Sequence, residues 1–382
     1  MPRTWRYQMI VGTVKEIKTH EYRIGLTPAC VKSYITRGHT VLFEKGAGMH
    51  AGFSDQDYED SGARIVDSRE EVFENAEMIV KVKEPQPEEY SLMKKDQILY
   101  TYLHLAASES LTRELMKRQV KAVAYETIEL DGTLPCLKPM SEIAGRLSVQ
   151  EGAKYLEKTF GGRGVLLGGV PGVPRGKVAI IGGGVVGTNA CKIAVGMGAE
   201  VTILDISSSR LEYLDDIFST HITTLYSTDS NIEAVLEQSD LVIGAVLVPG
   251  GKAPALVRRE HLKRMKQGAV IVDVAIDQGG CIETSHPTTH DDPVFVIDGV
   301  VHYCVANMPG SVALSATLAL TSSTLPYGLL IAELGLEAAA GQSPALLQGI
   351  NVYKGMCVYK KVAETFAIEP YDFRELAGLV SN

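Results

Sequence analysis

Four polar residues stand where apolar, β-type runs end. Arg23 follows the run at 9–14, Lys83 closes the run at 77–83, His104 follows the strand at 97–103, and Asp277 follows the run at 269–274. In open α/β sheets the ligand crevice lies outside the carboxyl ends of the strands. An Arg and a Lys aimed into one crevice suit a small carboxylate, the Arg as a bidentate fork and the Lys as a point charge. A His and an Asp beside them suit proton transfer. Each also has a bland reading. A lone His at a strand end is often structural. Lys81 and Lys83 share a strand face, so periodicity does not choose between them. Asp273, inside its apolar run, reads equally as a turn or capping acid, and Met140 and Tyr102 read as core.

A second chemistry is written in glycine. The strand-like run at 177–181 enters Gly182-Gly-Gly184-Val-Val-Gly187, a helical pattern follows to residue 198, and the next strand ends in Asp205. Gly182 makes the tight turn, Gly184 lets the backbone approach a pyrophosphate, and Gly187 lets helix and strand pack closely. The helix start offers free N–H groups and a positive partial charge to phosphates. Asp205 can accept both ribose hydroxyls, and its charge repels a 2′-phosphate, which favours NAD over NADP. Gly182, Gly184, Val185, Val186 and Gly187 are therefore the expected cofactor-binding loop. Arg210 is either a solvated helix charge or a contact beside the adenosine. His286, His290, Asp291 and Asp292 could suggest a metal, but they fall in a loop with no closing cysteine or helix, and no metal is expected.

These groups need a scaffold of alternating strands and helices. Strands are expected at 9–14, 40–44, 64–66, 77–83, 97–103 and 121–126, and again at 178–181, 201–205, 241–246 and 269–274. Helical patterns lie between them, with longer helices at 141–158 and 309–340 and a helical tail at 352–366. Such alternation predicts an α/β fold with mostly parallel sheets. The composition agrees: 382 residues, 45% hydrophobic and 22% charged, exclude a disordered chain or a rod. A net charge of −9 gives no global field for nucleic acid. None of the six cysteines lies close to another, which predicts reduced thiols and a cytoplasmic protein. The start, residues 1–8, has no apolar core and reads as an extension rather than a signal peptide. The stretch 310–332 carries no charge, but its Ser, Thr, Pro326 and Gly328 point to a buried or subunit-interface helix rather than a membrane span.

Taken in order, the motifs resemble one family, the alanine dehydrogenases together with the N-terminal part of the proton-translocating nicotinamide nucleotide transhydrogenases. The blocks that carry the resemblance are 11–18 with Arg23, 81–85, 101–107 around His104, 139–146, 168–172, the glycine loop, 273–280 and 305–310. They span 9 to about 367. The resemblance implies two Rossmann-like, doubly wound domains joined by long helices. A substrate domain would comprise 9–136 plus 309–382, and an NAD-binding domain 137–308. It implies that Arg23 and Lys83, rather than Lys81, hold the substrate carboxylate, and that His104 and Asp277 share proton transfers. It places Ser141 and Asn307 near the phosphates and nicotinamide, Asp205 and Arg210 at the adenosine end, and Ser227 beside the adenine. It implies reversible oxidative deamination of L-alanine to pyruvate and ammonium, a crevice that closes on substrate, and a homo-hexamer without nucleic-acid or membrane partners. The alternative it leaves is a transhydrogenase-like NAD module with a membrane partner. One departure falls at 311–317, where Ser311-Val-Ala-Leu-Ser-Ala-Thr317 replaces the usual Pro, basic residue and Thr-Ser-Thr run.

Overall fold

The computed structural model describes residues 7–246 and 254–379. Most of the expected 1–8 extension lies outside the described residues. The chain divides into two compact units, 1–139 with 310–382, and 140–309. It crosses between them at the start of the helix Lys138–Tyr155 and inside the 3-10 turn Met308–Val312.

The first unit is built on strands β1 (Ile10–Thr13), β2 (Thr40–Glu44), β3 (Arg64–Val66), β4 (Met78–Val80), β5 (Ile98–Thr101) and β6 (Lys121–Ala124). They run parallel in the order β3-β2-β1-β4-β5-β6. Nearly continuous apolar strands such as Ile98–Thr101, all buried, are what a parallel sheet covered on both faces requires. The order reverses between β1 and β4, so that end of the sheet is its switch point. Helices begin where the side chains dictate. Thr27 caps the helix Pro28–Thr36 through Cys30 N–H, with Pro28 in the first turn. Ser68 and Ser108 cap the helices Arg69–Asn75 and Glu109–Arg118 in the same way.

The second unit carries β7 (Lys177–Ile181), β8 (Glu200–Asp205), β9 (Ile222–Tyr226), β10 (Leu241–Gly244), β11 (Val270–Asp273), β12 (Val294–Ile297) and β13 (Val300–Tyr303). Their order is β12-β13-β11-β10-β7-β8-β9, parallel except for the antiparallel edge β12. Again the order reverses once, between β7 and β10. Within this unit the helix Lys138–Tyr155 approaches closely at two glycines. A Cβ at Gly145 would lie 2.2 Å from the Val186 carbonyl oxygen, and one at Gly152 would lie 2.5 Å from Leu241.

One expectation fails. The tail 352–366 is not a helix throughout. It contains β14 (Ile350–Tyr353) and β15 (Met356–Cys357), and only Lys360–Thr365 is helical. β14 runs antiparallel to β6, with a register shift at Ile350 to Val352, and extends the first sheet. The reason is burial: all four residues of β14 are buried, so a short apolar run is consumed as a strand. The helix Ala313–Leu334 packs into the first unit. Tyr100 donates its hydroxyl to the Thr324 carbonyl at 2.8 Å, and Gly328 leaves room for Tyr34, whose hydroxyl oxygen would be 2.2 Å from an added Cβ. Among the described residues Met308–Leu334 is the one helical segment long and apolar enough to cross a membrane. Its contacts with Tyr34, Tyr100 and Ile24, whose N–H donates to Thr317, seat one face of it on the first unit.

Candidate active site

The first unit gathers its polar groups at the switch point. Arg23 is buried at 3% exposure, and Glu21 grips one edge of its guanidinium, with Nε to Oε1 at 2.7 Å and Nη2 to Oε2 at 2.5 Å. Burial works against the charge, but the Glu21 carboxylate outweighs it and holds the Arg23 pKa above its ordinary value. Lys81 and Lys83 separate by environment. Lys81 is fully buried, with Glu89 at 2.8 Å and Glu16 at 3.2 Å from its ammonium. Burial disfavours that charge, but the two carboxylates more than offset it. Lys83 is half-buried at the mouth of the same strand end. Glu16 accepts the Val82 N–H at 2.6 Å and lies 3.4 Å from the Lys83 N–H, which anchors the backbone that carries Lys83.

His104 sits beyond β5 in the left-handed region, φ +49° and ψ +38°, uncommon for a residue with a side chain. Glu126 holds it there, accepting the His104 N–H at 2.6 Å and the Leu103 N–H at 3.1 Å. Strain of this kind persists where the surroundings over-determine it, and it clusters at functional sites. The Glu84 carboxylate lies 3.6 Å from Nδ1 of His104, and Lys18 holds its other oxygen. Burial pushes the Glu84 pKa up, but His104, Lys83 and Lys18 outweigh it and hold the group well below the usual carboxylate range. Tyr102 is core, as expected, with its hydroxyl donated to the Cys136 carbonyl at 2.5 Å. Its ring packs 5.9 Å from His104, and it lies within electrostatic reach of Arg23.

The second unit forms a glycine-lined cradle at its own switch point. Gly182 takes φ +103°, and its added Cβ would meet the Ala245 carbonyl at 2.7 Å. A Cβ at Gly187 would fall 1.8 Å from the Gly182 carbonyl oxygen, which excludes any other residue. Gly184 has nothing within 4 Å of its missing Cβ and caps the helix Val185–Gly196 with no side-chain bond. The cradle is thus tight on its protein side and open on its outer side, which fits a dinucleotide phosphate. Val185 is exposed and Val186 half-buried in that first turn. Asp205 accepts the Gly183 N–H at 2.6 Å and the Ser207 N–H at 2.8 Å, so the carboxylate is aimed by the loop it serves. Two oxygens offer about four acceptor positions, so capacity for hydroxyls remains. Ser227 donates its N–H to the Asp205 carbonyl at 3.0 Å. Arg210 is not a solvated helix charge. Its guanidinium donates to the Gly183 carbonyl and, at 2.5 Å, to the Thr188 hydroxyl, while Tyr213 stacks on it.

Asp277 lies on the 3-10 turn Val274–Gln278 after β11 and is exposed. It accepts the N–H of Asn307, itself at φ +59°, at 3.3 Å. Asp273 proves to be the capping acid. At 1% exposure it accepts N–H groups from Ala275, Cys281 and Ile282 at 3.2 to 3.3 Å and so shapes the turn that presents Asp277. Ser141 lies half-buried in the first turn of Lys138–Tyr155. His286 stacks at 3.7 Å on Phe295. Among the described residues no group of three or more His, Cys, Asp or Glu could hold a metal. Sequence reasoning missed Glu16, Glu84, Glu126 and Gly145. Glu16, Glu84 and Gly145 fall within the motif blocks, but Glu16 and Glu126 bind backbone N–H groups and Glu84 faces a His distant in sequence, so none leaves a spacing signal.

Residues 12–144 match the family described as alanine dehydrogenase/PNT, N-terminal domain, and residues 148–360 match its C-terminal domain. An alanine dehydrogenase of Methanococcus maripaludis is 54% identical over 371 residues, covering 97% of this chain and 99% of that one. One of Staphylococcus haemolyticus is 54% identical over 94% of this chain and 97% of its own. The solved structure of an L-alanine dehydrogenase superposes with a TM-score of 0.92 at 54% identity, covering 94% of this chain and 99% of the other. A transhydrogenase from Sinorhizobium meliloti superposes with a TM-score of 0.79 at 25% identity, over 92% of this chain and 99% of its own.

Proposed function

The chain belongs to the alanine dehydrogenase/PNT family, and on that premise we propose that it catalyses the NAD-dependent, reversible oxidative deamination of L-alanine to pyruvate and ammonium. The observation that carries the reading is identity of 54% over 97% of the chain with an alanine dehydrogenase, against 25% with a transhydrogenase.

The fit of the glycine cradle and the aimed Asp205 carboxylate supports NAD as the cofactor, and NAD when bound supplies the acceptor for the α-hydrogen of alanine. Gly182, Gly184, Val185, Val186 and Gly187 would hold its phosphates, Asp205 its ribose, and Arg210 would brace the loop. Ser141, Ser227 and Asn307 would make the remaining contacts. Arg23 and Lys83 bind the substrate carboxylate and fix which face of the α-carbon is presented; such positioning is worth several kcal/mol. His104 takes a proton from the substrate ammonium as the imine forms and releases it to solvent. It then takes one from the water that adds and returns it to the nitrogen as the carbinolamine collapses to pyruvate. Asp277 serves as the second acid–base group. The six buried cysteines, none in a disulfide, support a cytoplasmic setting. Leu314 and Leu318, each 50% exposed and one turn apart, support a contact between subunits of a homo-hexamer.

Absorbance of NADH tests the reading in both directions. L-alanine with NAD should produce NADH, and pyruvate with NADH should consume it only when ammonium is present. Consumption without ammonium would refute the assignment. Sedimentation velocity should give a six-chain species.

A further inference from the structure

We propose that Glu84 is a positioning residue for His104: its carboxylate accepts the proton on Nδ1, fixes the imidazole tautomer and leaves Nε2 as the atom that exchanges protons with substrate. The inference rests on the proposed role of His104. The Oε2 atom of Glu84 is buried and has no hydrogen-bond partner, an arrangement that proteins seldom leave without a purpose. It lies 3.6 Å from Nδ1 of His104, and the two side chains are 17% and 45% exposed, so the carboxylate is the sheltered member and the ring the accessible one.

The backbones on both sides are fixed. The Thr101 hydroxyl donates to the Lys83 carbonyl at 3.0 Å, and the Gln86 side-chain amide donates to the Glu84 carbonyl at 2.9 Å. Glu126 fixes Leu103 and His104 from the other side. The present distance lies just outside hydrogen-bond range. The charged and titratable groups about the ring are Glu84, whose own carboxylate is flanked by Lys18 and Lys83, the Tyr102 ring at 5.9 Å, and Glu126, whose carboxylate accepts backbone N–H groups. Lys18 and Lys83 keep Glu84 ionised, so it is an acceptor throughout the working range. An acceptor on one ring nitrogen decides which proton the other can exchange, and a neighbouring carboxylate also stabilises the imidazolium.

The test is the pH dependence of kcat/KM for L-alanine in the wild type, Glu84→Gln and His104→Gln. A His that acts as base must be neutral, so kcat/KM rises with pH through its pKa. Glu84→Gln removes the stabilising charge and should move that rise to lower pH, with NADH affinity unchanged. A rise that stays in place in Glu84→Gln while His104→Gln abolishes it overturns the inference and leaves the role of His104 standing. A rise that persists in His104→Gln overturns both. Should Glu84→Gln fail to fold, Lys18→Met serves instead. It frees the carboxylate for the ring and should move the rise to higher pH, and an unmoved rise would again refute the proposal.

Discussion

Lys81 and Lys83 show how far a residue's type is from its role. They are two positions apart, and the alternation expected for a strand at 77–83 would put them on one face, but β4 ends at Val80 and both lie beyond it. Environment separates them, because Lys81 is sealed between Glu16 and Glu89 while Lys83 is half-open. Lys83→Ala should lower kcat/KM for pyruvate by at least roughly tenfold, the loss of one charge-assisted contact, with the NADH dissociation constant unchanged. Lys81→Met should act on stability instead. It strands two buried carboxylates, a class of change that costs about 3–5 kcal/mol, read as a lower denaturant midpoint. Asp205→Ala should narrow the preference for NAD over NADP, measured as the ratio of kcat/KM values. Unchanged discrimination would remove Asp205 from that role. Arg23, Lys83, His104 and Asp277 stand out as candidates because each follows an apolar run, with Lys83 separated from Lys81 only by the family resemblance. Asp273 is legible too, as a turn or capping acid, whereas Glu16 and Glu126 are not, since they act on backbone N–H groups brought near only by the fold.

At the scale of elements, the glycine loop was the most readable part of the chain because each glycine answers a local demand. Gly187→Ala makes this testable. Its methyl would sit 1.8 Å from the Gly182 carbonyl, so the helix Val185–Gly196 must part from its strand. NADH binding, followed by fluorescence, should be abolished. The strands β9, β12, β13, β14 and β15 are not legible in the sequence, whose tail pattern suggests helix. A four-residue run such as Ile-Asn-Val-Tyr has no period long enough to declare itself, and its partner β6 lies far away in sequence. Gly145 is a case of the same kind. Inside a helix it reads as a weak point, and only the Val186 carbonyl facing it explains it. The departure at 311–317 also gains a local account. Val312 stands at the helix start and makes no side-chain cap bond, so that end of Ala313–Leu334 lacks one of the usual supports.

The whole molecule carries its buried charges as a pH signature. Burial, opposed by Lys81, pushes Glu16 up from 4.5 to about 7. The native state therefore holds a proton there that the unfolded chain has released. This stabilising contribution is full below the unfolded value and is lost as pH rises through the folded one. Glu84 has the opposite sign: its depressed pKa stabilises the fold above the ordinary carboxylate range, and that share is lost on acidification. Glu16→Gln should therefore flatten the decline in Tm between about pH 5 and 7.5, and a variant with the wild-type slope would exclude Glu16 as its source. The order of the chain has a further result. β14, at residues 350–353, completes a sheet whose neighbouring strand β6 ends at residue 124, with the whole second unit encoded between them. During translation at about 5–20 residues per second, the β6 edge stays bare for roughly 10 to 45 s while the second unit emerges and can fold. A growing chain with one finished half and one unsealed sheet edge is open to pairing with its neighbours on the same message. The last thirty or so residues therefore act as the closure that ends this exposure, and a premature stop before residue 350 would make it permanent.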